Sequence, residues 1–172
     1  DRYLEMTNYY IIFLVSLLLL LFLLRQKMQS ALRRVGMFLP INFLRILFFR
    51  IGGTRIGKNV KINHLTRISK NVTIGDKATI GYNSNIGEGT IIGKGTKIED
   101  DCSIYMTKVG ENTTIRKGTI SFGNKSKGRV SIGSNCSIGY YTVLDGTGGL
   151  NIGINNHISS HVTFWTHSSL KN

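Results

Sequence analysis

Cysteines and acidic residues are scarce in this chain, and each shortage excludes a class of protein. Only two of the 172 residues are cysteines. Cys102 and Cys136 have neither the CxxC spacing of a metal site nor the density of a secreted disulfide framework. We therefore predict no metal site and interpret both residues as buried thiols in the core.

Positive charge dominates the sequence, with 22 Lys and Arg against 9 Asp and Glu. Such an excess favours anionic partners, such as acidic lipid headgroups, phosphorylated cofactors or nucleic acid. Many of the basic residues flank one apolar segment, where a membrane surface is the simplest explanation. These residues are Arg25, Lys27, Arg33, Arg34, Arg45, Arg50 and Arg55. We therefore predict an anionic inner leaflet as a partner and no nucleic acid.

The segment from Met6 to Leu24 contains no charged residue. As a helix it would reach roughly 28 Å, close to the ~30 Å of a hydrocarbon core. The basic cluster follows the apolar run and no small-residue cleavage site comes after it, so an anchor is favoured over a cleavable signal peptide. We predict that residues 1–35 form a transmembrane anchor with a basic flank. By the positive-inside rule, the rest of the chain then lies in the cytoplasm.

A second apolar stretch, Ile41 to Phe49, is too short to span a membrane. It follows Pro40, which suits a first helical position, and it includes Arg45, with Arg50 directly after it. We predict a short amphipathic helix in the membrane interface, with its arginines at headgroup depth. A helix packed against the base of the following domain is the alternative. In both cases residues 36–55 connect the anchor to that domain.

From Ile56 onward an aliphatic residue recurs every six positions. The first members are Ile56, Ile62, Ile68, Ile74, Ile80, Ile86, Ile92, Ile98 and Ile104. An amphipathic helix would need a spacing near 3.6 and a two-faced strand would need alternation, so neither fits. Short strands joined by corners that glycine permits do fit, and they stack into a parallel β-helix with the isoleucines inside. We predict this fold for residues 56–172, with Ser121 to Arg129 leaving the coil as a loop.

The pattern Ile-Gly-x-x-small-x resembles the hexapeptide-repeat acyltransferases, which are left-handed parallel β-helices, over most of Ile51 to Asn172. Two segments, LRILFFRIGGTRIGKNVKI and VLDGTGGLNIGINNHISSHVTFWTHSSLK, are similar to sugar O-acetyltransferases of bacterial surface-polysaccharide pathways. The resemblance implies a left-handed coil, a homotrimer and acetyl-CoA bound in the groove between neighbouring coils. Together with the predicted anchor, it also implies a bacterial inner-membrane enzyme that acetylates a sugar, such as a lipid-linked or nucleotide-linked glycan acceptor.

In that family a histidine deprotonates the acceptor hydroxyl, which suits an imidazole whose pKa lies near ambient pH. The family's Thr-His motif corresponds to Thr166 and His167 in FWTHSS, so the resemblance implies that His167 is the general base. In some relatives the base lies two places later, where this chain has Ser169. Thr166 is then a candidate to contact the substrate.

The remaining candidates for substrate binding each have a structural alternative. Asp145 either orients an imidazole, contacts the sugar or forms a turn before Gly146. Trp165 either stacks on a pyranose ring or packs at a subunit interface. His157 and His161 lie in adjacent repeat units, where they either project toward a neighbouring subunit's groove or are solvated corner residues.

Relatives usually continue past the histidine with coils that complete the CoA groove, whereas this sequence ends at Asn172. We therefore expect a shortened version or part of a longer protein. A catalytically inactive trimeric scaffold at the membrane is the alternative function. A nucleotidyltransferase would need a further nucleotide-binding domain. A carbonic-anhydrase-like β-helix would need zinc-binding histidines on facing subunits, for which His157 and His161 are the candidates.

Overall fold

The computed structural model describes residues 2–167, with side-chain surroundings described at residue 12 and from residue 14 onward. It begins with one continuous helix, α1, from Arg2 to Phe38. Leucine, the commonest residue of the apolar segment, favours the helix, and α1 ends shortly before Pro40, the only proline of the chain. Apolar side chains from Ile12 to Leu24 are exposed along α1. The part of α1 from Leu14 to Phe38 is long and apolar enough to cross a membrane.

Helix α2 (Asn42–Ile51) packs by one face against the first coil of the domain that follows. Phe49 is fully buried there, and the Asn42 side chain bonds the backbone of the same coil, with its Nδ2 3.1 Å from Val60 O. Arg45 is buried as well and donates hydrogen bonds to the carbonyl oxygens of Ile62 and Leu39. The prediction that Arg45 lies at headgroup depth is therefore wrong.

The opposite face of α2 is apolar and exposed. Phe43, Leu47 and Ile51 are spaced four residues apart, so they form one stripe along this face. Helix α2 thus combines both interpretations of the sequence. One face of α2 packs against the base of the β domain, and the exposed face can contact the apolar interior of a membrane.

The remaining elements form a parallel β-helix of six triangular coils. In chain order the strands are β1 Arg55–Ile56, β2 Lys61–Ile62, β3 Arg67–Ile68, β4 Thr73–Ile74, β5 Thr79–Ile80, β6 Asn85–Ile86, β7 Ile91–Ile92, β8 Lys97–Ile98, β9 Ser103–Ile104, β10 Thr107–Val109, β11 Thr114–Ile115, β12 Ile120–Gly123, β13 Val130–Ile132, β14 Ser137–Ile138, β15 Val143–Gly146, β16 Leu150–Ile152, β17 His157–Ile158 and β18 Thr163–Phe164. Each strand pairs with the strand three places further along the chain. This pairing gives three six-stranded parallel sheets, which start at β1, β2 and β3. The predicted hexapeptide β-helix is confirmed, and its left-handed winding remains a prediction from the resemblance.

The periodic isoleucines stack directly on one another and fill the inside of the coil. In the first sheet, for example, Ile56 pairs with Ile74 and Ile74 with Ile92. Cys102 and Cys136 take small-residue positions in the same core, where both are buried free thiols, as predicted. Burial raises the pKa of the Cys102 thiol to about 11.

At the first residue of a corner, glycine permits close approach to the next coil. A Cβ atom on Gly75 would lie 2.7 Å from the backbone nitrogen of Lys94 in the next coil. The left-handed backbone conformation occurs two residues further on, often at asparagine, as at Asn59, Asn71 and Asn83. At Gly75 the glycine that follows the isoleucine is therefore a stacking requirement, whereas Gly89 and Gly95 take the left-handed conformation at their corners.

One edge of the triangle departs from the regular corner. At this edge, which we call the loop edge, the chain passes from the third sheet back to the first at residues 69–72, 87–90, 105–106, 124–129 and 147–149. Residues 165–167, which follow β18, lie at the same edge, since Thr166 bonds Gly148. The predicted loop lies here. It is shorter than predicted, because β12 extends to Gly123 and an antiparallel bridge joins Asn124 to Gly128.

Candidate active site at the loop edge

The last two coils bring Asp145 and His167 together at the loop edge. Asp145 is in β15, and His167 follows β18, which stacks directly on β15. The His167 Nδ1 atom lies 2.5 Å from Asp145 Oδ2. The Asp145 side chain is fully buried, whereas 45% of the His167 side chain is exposed. The pair thus joins a buried carboxylate to an imidazole that solvent can reach.

The two oxygens of Asp145 have different partners. Oδ1 accepts a hydrogen bond from the Thr147 backbone N–H at 2.8 Å, which forms the turn that the sequence suggested. Oδ2 accepts one from the Thr166 backbone N–H at 3.1 Å as well as contacting His167. Asp145 therefore both forms a turn and orients the imidazole of His167.

These hydrogen bonds keep the carboxylate ionised. Burial by itself would raise the pKa of Asp145, but the hydrogen bonds from Thr147, His167 and Thr166 outweigh it and hold the pKa well below its usual range. An ionised carboxylate can only accept, so the Nδ1 atom of His167 must carry the proton. In neutral His167 the Nε2 atom then keeps its lone pair and can act as a base.

Thr166 fastens the segment that carries His167 to the coil below. Its hydroxyl donates to the Asp145 carbonyl oxygen at 2.8 Å and accepts from the Gly148 N–H at 2.9 Å. A Cβ atom on Gly148 would lie 2.0 Å from the Thr166 carbonyl oxygen, so this approach requires glycine. Thr166 thus positions His167, and its predicted contact with substrate remains a prediction.

Trp165 is next to this pair and presents a large apolar surface. Its side chain is 66% exposed, and its ring centroid lies 6.4 Å from that of His167 at a steep angle. Both predicted roles, stacking on a sugar ring or packing against another subunit, remain predictions. Either role would bring a second molecule against His167.

The other histidines lie away from this edge. His157 is exposed on β17 of the second sheet, and His161 is at the corner between the second and third sheets, stacked on Tyr141. His64 is at the same kind of corner in the first coil, against Tyr82. Within one chain, therefore, the structure does not bring His157 or His161 to His167, and their binding role remains a prediction.

Ser169, the alternative position of the base, lies outside the described residues. The contributions of Thr147 and Gly148 to the site were not predicted from the sequence. Thr147 and Gly148 are needed to hold Asp145 and Thr166, and only the glycine-rich run LDGTGG hinted at this tight turn. No group of three His, Cys, Asp or Glu suited to a metal ion occurs in the described part of the chain.

A comparison with protein-family models agrees with the predicted hexapeptide repeat. Residues 53–87 match the family model described as bacterial transferase hexapeptide (six repeats). The first two coils are therefore similar to the hexapeptide repeats of bacterial transferases. A search of curated proteins found no match.

Three solved structures that are similar to the chain are described as acetyltransferases or acetyltransferase domains. A putative acetyltransferase from Bacillus cereus is 18% identical, with a TM-score of 0.30 over 64% of this chain and 71% of that one. The acetyltransferase domain of PglB from Neisseria gonorrhoeae, solved with acetyl coenzyme A, is 12% identical, with a TM-score of 0.39 over 72% of this chain and 66% of that one. A variant perosamine N-acetyltransferase from Caulobacter crescentus, solved with CoA and GDP-perosamine, is 14% identical, with a TM-score of 0.32 over 76% and 70%. These likenesses are weak, so the functional argument rests on the repeat and site of this chain.

Proposed function

We propose that this protein is a membrane-anchored acetyltransferase that transfers the acetyl group of acetyl-CoA to a sugar hydroxyl of a cell-surface polysaccharide precursor. The observation that carries the proposal is the Asp145–His167 pair at the open loop edge of a hexapeptide-repeat coil. A buried carboxylate that orients an exposed imidazole is the arrangement required of a general base.

In the proposed reaction His167 Nε2 removes the proton of the acceptor hydroxyl as its oxygen attacks the thioester carbonyl of acetyl-CoA. The C–O bond forms and the C–S bond breaks. The CoA sulfur leaves as a thiolate and takes the proton from His167, so the imidazole returns to its starting state. Asp145 stabilises the transient imidazolium without taking its proton, since its own pKa is held low.

The site is open in a single chain, which supports the proposed trimer. Among the described residues, Trp165 remains 66% exposed and the His167 side chain 45% exposed. A neighbouring subunit at this edge would wall the groove for acetyl-CoA and exclude water. The exposed apolar surfaces of α1 and α2 support anchoring at the inner membrane.

Transfer of labelled acetyl groups tests the proposal. The full chain in detergent, given labelled acetyl-CoA and a membrane extract as acceptor, should label glycan. His167→Gln should lose roughly 10²- to 10⁴-fold in rate, because the base is removed. His64→Gln is the matched control, since His64 is an exposed histidine far from the loop edge, and its rate should equal the parent's.

Two outcomes would contradict the proposal. Equal rates for His167→Gln and the parent would remove His167 as the base. Failure of CoA to raise the melting temperature would favour the inactive scaffold, because a bound ligand must stabilise the folded state. Mass analysis of the labelled product then separates O-acetyl esters, which mild alkali cleaves, from N-acetyl amides.

A further inference from the structure

A basic cleft lies between the end of α1 and the first coils of the β-helix. Its volume is about 670 Å³. Arg33 and Arg34 line it from α1, and Arg67 and Lys70 from the first coil. Glu88, from the second coil, also lines the cleft. We call this space the basic cleft.

The positive charge of the basic cleft is not balanced within the described part of the chain. Glu88 is already bound, since its carboxylate lies 3.0 Å from Lys125 Nζ and accepts a hydrogen bond from Asn71. Arg34, Arg67 and Lys70 form no ion pair with any described residue, and all three are exposed. Four cationic groups around one carboxylate that is already paired leave an excess of positive charge, which favours a phosphate or another multivalent anion.

The position of the basic cleft favours a lipid as the source of that anion. Apolar side chains are exposed on α1 as far as Phe38 and on α2 at Phe43 and Leu47. Arg33 and Arg34 lie on α1 itself, so the cleft opens beside the surface that would meet the membrane. A phosphate whose tail lies in the bilayer reaches this cleft more readily than one free in solution.

The basic cleft and the Asp145–His167 pair lie on the same edge of the coil. Lys70, Glu88 and Tyr105 are loop-edge residues of the first three coils, and His167 is the loop-edge residue of the sixth. Parallel strands stack about 4.8 Å apart, so five steps separate the two sites by roughly 24 Å. Tyr105 and Trp165 are exposed aromatic residues along this edge, and aromatic faces suit contact with sugar rings.

We infer that the basic cleft binds the phosphate of a membrane lipid that carries the sugar acceptor, so that the sugar chain extends along the loop edge to His167. The inference rests on the proposed function and adds to it. The lipid phosphate is held at the first coil, and the acetylated sugar is separated from it by several sugar units.

A direct binding experiment tests the basic cleft without any turnover. Farnesyl diphosphate, a short lipid diphosphate, is titrated into the full chain in neutral detergent, and inorganic pyrophosphate and CoA are titrated separately. The parent should bind farnesyl diphosphate saturably and more tightly than pyrophosphate. Arg67→Gln with Lys70→Gln should bind it roughly 30-fold more weakly, because each basic group near a membrane surface contributes about a fivefold change in affinity.

The control is Lys94→Gln with Lys108→Gln, which removes the same charge from exposed positions away from the cleft. This control variant should bind farnesyl diphosphate as tightly as the parent does. If both double variants lost the same affinity for farnesyl diphosphate, the net charge of the protein alone would explain the binding. That result would overturn the inference. Binding of pyrophosphate as tight as that of farnesyl diphosphate, or displacement of farnesyl diphosphate by CoA, would also overturn it.

The outcome for the basic cleft is separable from that for the enzyme. If the parent binds farnesyl diphosphate but transfers no acetyl group, the cleft stands and the proposed function fails. If the parent acetylates a lipid-linked acceptor and the Arg67 and Lys70 double variant has an unchanged KM, the assignment of the cleft fails. Arg67 and Lys70 are exposed and make no side-chain bond to a described residue, so both variants should melt with the parent.

Discussion

At the scale of single residues, Asp145 determines what His167 can do. Its Oδ2 atom selects the tautomer of the imidazole, and its Oδ1 atom holds the turn at Thr147. Because the carboxylate is fully buried and receives several hydrogen bonds, its charge and position are both constrained. Its effect on the reaction is therefore exerted through His167, and Asp145 is a positioning residue.

Asp145→Asn should lower kcat by roughly 10²- to 10⁴-fold, because an amide NH₂ turned toward Nδ1 would favour the opposite tautomer. KM for acetyl-CoA should change little, since Asp145 is buried beneath His167. Kinetics with labelled acetyl-CoA check this split. A rise in KM with kcat unchanged would instead assign Asp145 to substrate binding.

The same residue predicts a pH dependence of stability. The folded-state pKa of Asp145 lies below the unfolded value of about 3.9, so its stabilisation is fully present above that value and is lost as pH falls toward the folded pKa. Thermal melts should therefore show the parent well above Asp145→Asn at neutral pH, with the gap closing below about pH 4. A gap that is constant with pH would contradict this.

The sequence could indicate His167 but not its link to Asp145. The Thr-His motif pointed to His167, whereas the pairing with Asp145 depends on β18 stacking on β15 in one register. The six-residue period implies such stacking only where it is unbroken. An irregular turn at residues 147–149 separates the two segments, so their alignment was not visible before the fold.

At the scale of elements, the corner glycines determine how closely successive coils approach. The sequence predicted the strands well, because isoleucine at every sixth position leaves few other folds. It suggested that glycine permits the corner, and the structure shows that contact with the next coil requires it at Gly75. Burial of Arg45 was not predictable, since its partners are carbonyl groups on separate segments.

Gly75→Ala should therefore destabilise the protein by about 1–3 kcal/mol, because the new Cβ would lie 2.7 Å from Lys94 N and force the coils apart. Gly153→Ala is the matched control. Gly153 also follows a core isoleucine, but its Cβ would meet only the Asn156 side chain, at 3.4 Å. Thermal unfolding compares the two variants. Equal destabilisation of the two variants would contradict a role for contact between coils, since the lower backbone entropy of the unfolded chain would by itself stabilise both alanine variants.

At the scale of the whole molecule, the helices and the coil form one continuous body. Leu65 N–H donates to Met37 O at 2.9 Å, which joins α1 directly to the first coil, and Arg33 donates to the Gly52 carbonyl oxygen at the end of α2. The sequence separated an anchor of residues 1–35 from the β domain. It could not show that α1 continues to Phe38 and forms one wall of the basic cleft, because that contact links distant segments.

Because α1 is bonded to the first coil, the orientation of α1 in the membrane predicts the side on which the loop edge lies. If the basic residues after the apolar segment remain in the cytoplasm, the whole β-helix is cytoplasmic. Ser126→Cys places a thiol on the exposed loop between Asn124 and Gly128. A membrane-impermeant maleimide should then label inside-out vesicles and leave intact cells unlabelled.

The parent chain provides the control for this labelling. Cys102 and Cys136 are buried, and the pKa of Cys102 is about 11, so at pH 7 almost none of it is the reactive thiolate. The parent should remain unlabelled in both preparations and react only after denaturation. Labelling of Ser126→Cys in intact cells would place the β-helix outside. Acetyl-CoA is made in the cytoplasm, so that result would remove the proposed donor as well as the proposed orientation.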